Sequence, residues 1–291
     1  MEKISFHDQI SKNKRNSIFL ISIIFIVLLA IGYVIAKINP GYFFVIMILS
    51  IIISLSYILI SYYNSDKIAL ASVNAKPAPK EKYRQYYNSV EGLTLASGMP
   101  MPRLYVMENP QINAFATGRD PEHSVICVTT GSLEKLNKQE LEGVLAHELS
   151  HISNFDIRFM TLTAVLVGMI AIISEIFLRS LFFKGDRENK GGAILFIIGI
   201  ALAILAPIVV QLVQLAISRK REYVADASAV KFTRYPPGLI NALKKIDSDK
   251  PMKSSKVVSS LFISDPMKKN LDNLMSTHPP LKKRIQALEA M

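Results

Sequence analysis

The chain has 291 residues, of which 50% are hydrophobic and only 20% charged, with a mean hydropathy of +0.29 and a formal net charge of +11. That balance is too apolar for an ordinary soluble protein of two domains. A single cysteine, Cys127, excludes an internal disulfide framework and fits a reducing compartment, where it reads as a buried filler of an apolar strand.

Four apolar runs carry the excess hydropathy: 18–38, 42–62, 159–183 and 193–217. Each reaches the roughly 20 residues that a helix needs to cross a bilayer. Asn39-Pro40-Gly41 splits the first pair as a tight turn, and a short polar stretch, 184–192, splits the second. The chain therefore reads as two transmembrane hairpins. The alternatives are a cleaved signal peptide for the first run and a buried helical hairpin for the second pair. Another span follows the first run at once, which favours a retained anchor. Glu175, Gln211 and Gln214 keep the buried hairpin open, because polar residues in a span usually face protein or a cavity.

The positive charge clusters beside these runs. Lys12, Lys14 and Arg15 precede the first, and Arg219, Lys220 and Arg221 follow the last. No nucleic-acid-binding pattern accompanies them, so no nucleic acid is expected as a partner. The bias places both termini and 63–158 in the cytoplasm, although the 184–190 loop also carries basic residues.

Between the hairpins, 64–82 reads as a polar connector containing Lys76-Pro77-Ala78-Pro79-Lys80. A helix is predicted over 82–98, closed by Gly98. Strands are predicted over 103–107, 111–117 and 124–130. The last two form a hairpin around Gly118-Arg119-Asp120-Pro121, with His123 solvated beside the turn. The parts are then 1–63, a tail and first hairpin; 64–158, a cytoplasmic segment with an edge strand; 159–217, the second hairpin; and 218–291, a C-terminal segment.

A helix over 138–153 carries the chemistry. Leu141, Val144, Leu145 and Leu149 form its apolar stripe. His147-Glu148-Leu149-Ser150-His151 sits on it in the pattern H-E-x-x-H. Residues four apart share a helix face, so both imidazoles can hold one zinc ion. Glu148 lies about 100° around the helix and can reach a water on the metal without ligating it. Catalytic zinc usually takes a third protein ligand. The third and fourth runs are antiparallel, so the residues before one and after the other meet at the same membrane face. Glu222 thereby becomes a candidate ligand, the alternative being a solvated helix charge. Asp226, one turn on, could hydrogen-bond a ligating imidazole.

The motif, with Arg221-Glu222-Tyr223-Val224-Ala225-Asp226-Ala227, Asn113-Ala114-Phe115-Ala116-Thr117-Gly118 and Thr277-His278-Pro279-Pro280 followed by Arg284, resembles the HtpX family of bacterial membrane zinc proteases. These are relatives of the CAAX prenyl proteases. The resemblance covers nearly the whole chain. It implies an α-helical integral membrane protein with a mainly α zincin-type domain, a small β-sheet and four transmembrane helices. It assigns one Zn2+ to His147, His151 and Glu222, the catalytic base to Glu148 and a supporting role to Asp226. It also implies quality control in the bacterial inner membrane, with misfolded membrane proteins cleaved at the cytoplasmic face.

Asn113, Ala114, Phe115 and Ala116 then read as an edge strand to which an extended substrate adds, though Phe115 could simply pack in the core. By the same resemblance His278 and Arg284 reach the site, donating to an oxyanion, or Arg284 pairs with Asp226. Competing readings are a zinc-binding scaffold without turnover, an intramembrane protease, and a prenyl-protein protease. Glu148 argues against the first, and the charge of 134–158 argues against the second.

Overall fold

The computed structural model describes residues 6–38, 40–163, 219–250, 261–263 and 279–291. The expected spans beyond residue 163, together with Glu175, Gln211, Gln214 and His278, lie outside the described residues.

Two helices open the chain, α1 (Phe6–Ile38) and α2 (Phe43–Tyr63), joined by a tight turn at Pro40–Tyr42. Both are long and apolar enough to cross a membrane. Their outward faces are apolar, with Phe44 79% exposed and Ile53 62% exposed, while Asn13, Ser17, Ser54 and Ser61 are buried. The two helices pack closely at Gly32, where a Cβ would stand 2.0 Å from Ser50 Oγ.

The connector holds more structure than its polarity suggests. It contains α3 (Ser65–Ser72) and β1 (Lys76–Pro77). Ala69 and Leu70 of α3 are buried against the sheet, and Asp66 is buried beside its ion pair with Arg103. Next come α4 (Arg84–Ser97), β2 (Arg103–Met107), β3 (Ala114–Gly118) and β4 (Ser124–Thr129). Gly98 closes α4 at φ 70, as its position after the helix predicts.

The sheet order is β1-β2-β4-β3. β3 and β4 form the expected antiparallel hairpin, but β2 and β4 pair in parallel. β3 begins three residues later than its hydrophobic pattern indicates, since backbone donors before it are already claimed. Gln111 N–H goes to Asn109, Ile112 N–H to Asp249, and Asn113 N–H to Thr129 Oγ1 and Ser132 Oγ.

Alternation along β4 sorts the core. Ile126 and Val128 face α4 and the remaining helices, whereas Val125 and Cys127 face α3, Met160 and Phe262. After β4 come α5 (Thr130–Lys135), α6 (Lys138–Ser153) and a helical stretch over 156–163. Among the described residues the remaining helices are α7 (Arg219–Thr233), α8 (Pro236–Ser248) and α9 (Leu281–Glu289). The first residues of the third apolar run are packed inside the protein, with Phe159 2% and Leu162 3% exposed.

α6 is the central helix. Asn137 caps it through a reciprocal capping box with Glu140 (2.9 and 2.8 Å). Its predicted stripe is buried throughout: Leu141, Val144, Leu145 and Leu149. α6 meets α8 at backbone contact. A Cβ on Gly143 would stand 2.6 Å from Leu239 N, and one on Gly238 2.5 Å from Gln139 O.

Candidate metal centre

The helical spacing of His147 and His151 delivers both rings to one point, with Nε2 atoms 3.2 Å apart. α7 crosses α6 there and supplies Glu222. Its Oε2 lies 3.6 Å from His147 Nε2, and its Oε1 lies 3.6 Å from His151 Nε2. Among the described residues these three groups form the metal-holding cluster, and all three are buried. A tetrahedral ion with bonds of about 2.0–2.1 Å has edges of about 3.3–3.4 Å between its ligands. The observed edges of 3.2 to 3.6 Å match that figure, so the residues present fit a four-coordinate ion.

A carboxylate stands behind each imidazole. His147 Nδ1 lies 3.0 Å from Asp226 Oδ1, and His151 Nδ1 lies 3.0 Å from Asp156 Oδ2. Each ring can therefore donate its Nδ1 proton backward and present the Nε2 lone pair forward, the usual support of a ligating histidine. Asp226 is where the sequence reading puts a supporting residue. Asp156 has no such role in the sequence reading. A turn brings it back under His151, with Phe155 at φ 58. Phenylalanine does not announce that conformation.

Arg284 is fully buried on α9. It donates to both oxygens of Asp226, from Nε at 2.8 Å and Nη2 at 2.6 Å. Its Nη1 donates to Ile263 O at 3.0 Å and lies 3.3 Å from Glu222 Oε2. Of the two arrangements expected for Arg284, the structure contains the pairing with Asp226.

Glu148 is buried beneath β3, and its Oε1 has no hydrogen-bond partner. Burial pushes its carboxyl up to about 7, and the neighbouring Glu222 charge acts in the same direction. Burial, followed by the Arg284 charge, draws His147 down to about 4. Burial opposes the charge on His151 as well, but the Asp156 hydrogen bond and the Glu222 charge outweigh it and raise this group to about 9.

The edge-strand residues divide by face. Ala114 and Ala116 lie on the α6 side, where their small side chains let the two elements approach. Phe115 points to the opposite face, fully buried, and stacks edge-on with Phe262 at 5.2 Å. Asn113 Oδ1 accepts from Ala114 N–H at 3.0 Å. Residues 261–263 lie along the outer side of β3, with an antiparallel bridge from Phe262 to Phe115 and a 2.9 Å hydrogen bond from Ile263 N–H to Ala114 O.

A histidine pair on a central helix, closed by a glutamate from a crossing helix, offers the ligand set of a metallopeptidase, and similarity to known proteins supplies the class. The sequence profile of peptidase family M48 matches residues 80–291. The chain belongs to peptidase family M48 and is a membrane metalloendopeptidase. A protease HtpX homolog of Caldanaerobacter subterraneus subsp. tengcongensis is 43% identical over 299 residues, covering 100% of this chain and 99% of the relative. One from Listeria monocytogenes serotype 4a is 43% identical over 301 residues, covering 98% and 99%. The likeness to HtpX proteases drawn from short motifs thus extends along the whole chain. The crystal structure of S. mikatae Ste24p shares the fold, with a TM-score of 0.52 at 22% identity, over 89% of this chain and 62% of that one.

Proposed function

We propose that the chain is a zinc-dependent endopeptidase that cleaves misfolded or damaged membrane proteins at the cytoplasmic face of a bacterial inner membrane. The observation that carries this reading is the triangle of His147, His151 and Glu222, with edges suited to one zinc ion, beside the unpartnered Glu148 Oε1.

Zinc, when bound, polarises the scissile carbonyl and acidifies water. His147, His151 and Glu222 would hold the ion. Asp226 and Asp156 fix the histidine tautomers, and Arg284 holds Asp226 and Glu222 in place. Glu148 takes the proton from the attacking water and passes it to the leaving amine. No acyl-enzyme forms. An extended polypeptide aligns on β3 at Asn113–Ala116, using main-chain hydrogen bonds that tolerate varied sequence. Because Ile263 occupies the carbonyl of Ala114, residues 261–263 must yield for that strand to add. His278 donates to the developing oxyanion. The helices α1 and α2 anchor the chain, a second hairpin within 159–217 completes four spans, and the flanking basic residues hold the site on the cytoplasmic side.

The test uses full-length protein in detergent, measuring zinc per chain and cleavage of unfolded casein. Wild type and Glu148→Gln should both hold one zinc, with cleavage reduced by about three orders of magnitude in the variant. Undiminished cleavage by Glu148→Gln would remove Glu148 as the base. Zinc in both proteins with cleavage in neither would turn the reading towards a scaffold or a narrow substrate.

A further inference from the structure

We propose that Asn13, on the first membrane helix, is a positioning residue for the metal centre. It fixes the Asp156 carboxylate that orients His151, so α1 belongs to the support of the active site as well as to its anchor. The inference rests on the reading of His147, His151 and Glu222 as zinc ligands.

Asn13 is 1% exposed, and its amide uses both protons, across 141 and 143 residues of sequence. One goes to Asp156 Oδ1 at 2.6 Å and the other to Asn154 O at 3.0 Å. The second oxygen of Asp156 faces His151 Nδ1. One carboxylate thus lies between an amide of α1 and a ligating imidazole. The adjacent residue of α1 grips the same turn. Lys14 Nζ sits 4.4 Å above the ring of Phe155, the residue held at φ 58. A turn that left-handed phenylalanine strains by about 1 kcal/mol or more is therefore held from α1 at each of its three residues.

The residue type suits the task. A neutral amide donates one hydrogen bond to the carboxylate and one to Asn154 O without adding a second cation beside Asp156, which keeps its negative charge for the imidazole proton. An arginine or lysine in its place would compete for that charge. A cation already stands near the same oxygen, since Arg221 Nε lies 3.8 Å from Asp156 Oδ1, so the added donor has most to offer by being neutral. Partners of this kind behind a metal ligand are typically worth about 10–100-fold in metal affinity.

The experiment measures zinc affinity of the full chain in detergent by competition with a chelator, together with thermal unfolding of the zinc-free protein. The proteins are wild type, Asn13→Ala, Asp156→Asn and the double variant. We expect each single change to weaken zinc binding by about 10-fold or more and the double to be no weaker than Asp156→Asn alone. Ser17→Ala, a buried hydroxyl of the same helix bonded only within it, should bind as wild type. Asn13→Leu keeps the size and removes the donor, so it should also weaken binding, and it serves if the alanine variant does not fold. Wild-type zinc affinity in Asn13→Ala or Asn13→Leu, with only the unfolding temperature lowered, would overturn the proposal and leave Asn13 as packing. Losses that add in the double variant would overturn it too. A wild-type chain that binds no zinc, or a His147→Ala chain that still binds it, would overturn the metal reading itself and the inference with it.

Discussion

The α1–α2 hairpin and the catalytic core differ in what they turn outward and in the kind of polarity they bury. On the hairpin, Phe44, Ile48 and Ile53 face outward, while Asn13, Ser17, Ser54 and Ser61 lie inside. In the core, β4 and the stripe of α6 bury apolar residues, and polar burial concentrates around one cluster: His147, Glu148, His151, Asp156, Glu222, Asp226 and Arg284. An outward apolar face fits lipid, where it loses nothing by exposure. A buried charged cluster in an otherwise apolar core is expensive unless its members are paired or hold an ion. Buried polarity therefore has a different meaning in each region. In the hairpin it is helix contact, except at Asn13, where the two regions meet.

If that difference is real, removing a charge from the core should do far more than removing one from the surface. Arg284→Met leaves Asp226 buried without its bidentate partner, and we expect a loss of about 3–5 kcal/mol in thermal or chemical unfolding. Lys244→Met breaks an ion pair of similar length, 2.9 Å to Glu289, but with both side chains about half exposed. It should cost under about 1 kcal/mol. Equal effects would remove the distinction.

The glycines offer a finer comparison. Gly143 meets the backbone of Leu239, whereas Gly32 meets the side chain of Ser50, whose Oγ and Cβ would lie 2.0 and 2.4 Å from an added Cβ. Backbone cannot give way, so Gly143→Ala should cost about 1–3 kcal/mol with no single-residue remedy. Gly32→Ala should be relieved by Ser50→Gly in the same unfolding measurement. Failure of that relief would show that the close packing at Gly32 does not depend on Ser50.

How much of this was open to sequence reading follows the range of each interaction. The α6 helix, its buried stripe, the paired imidazoles and the β3–β4 hairpin all follow from local spacing, and each is present. The approach of Glu222 was expected from reading the third and fourth runs as antiparallel; beyond residue 163 those runs lie outside the described residues, but Glu222 does stand beside both imidazoles. Helix α3 and strand β1 were hidden because eight and two residues leave too little periodicity beside a Pro-rich stretch. The parallel pairing of β2 with β4 skips a strand, which adjacency in sequence does not suggest. Asp156 and Asn13 stayed unreadable in their roles. One depends on a left-handed phenylalanine, the other on a contact between a membrane helix and a turn far along the chain.

The capping box of α6 comes next in size. Asn137→Ala removes the acceptor for Glu140 N–H and should cost about 1 kcal/mol. Glu140 would keep its own partner in Lys245, at 2.6 Å.

The smallest effect is expected at Asp249, which ties the end of α8 to the approach to β3. Its carboxylate accepts from Ile112 N–H at 2.8 Å and from Lys135 Nζ at 2.9 Å. Burial opposes the charge, but Lys135 and the amides of Ile112 and Lys250 outweigh it and hold the carboxyl below the usual aspartate range. A carboxyl whose folded pKa is depressed contributes stability that is present above its unfolded pKa, about 4, and is lost as pH falls through the folded value. Unfolding curves taken between neutral pH and the acid range should therefore converge for wild type and Asp249→Asn below pH of about 4, with wild type the more stable above it. A gap that persisted unchanged into acid would mean that the Asp249 charge contributes nothing and that shape alone holds the start of β3.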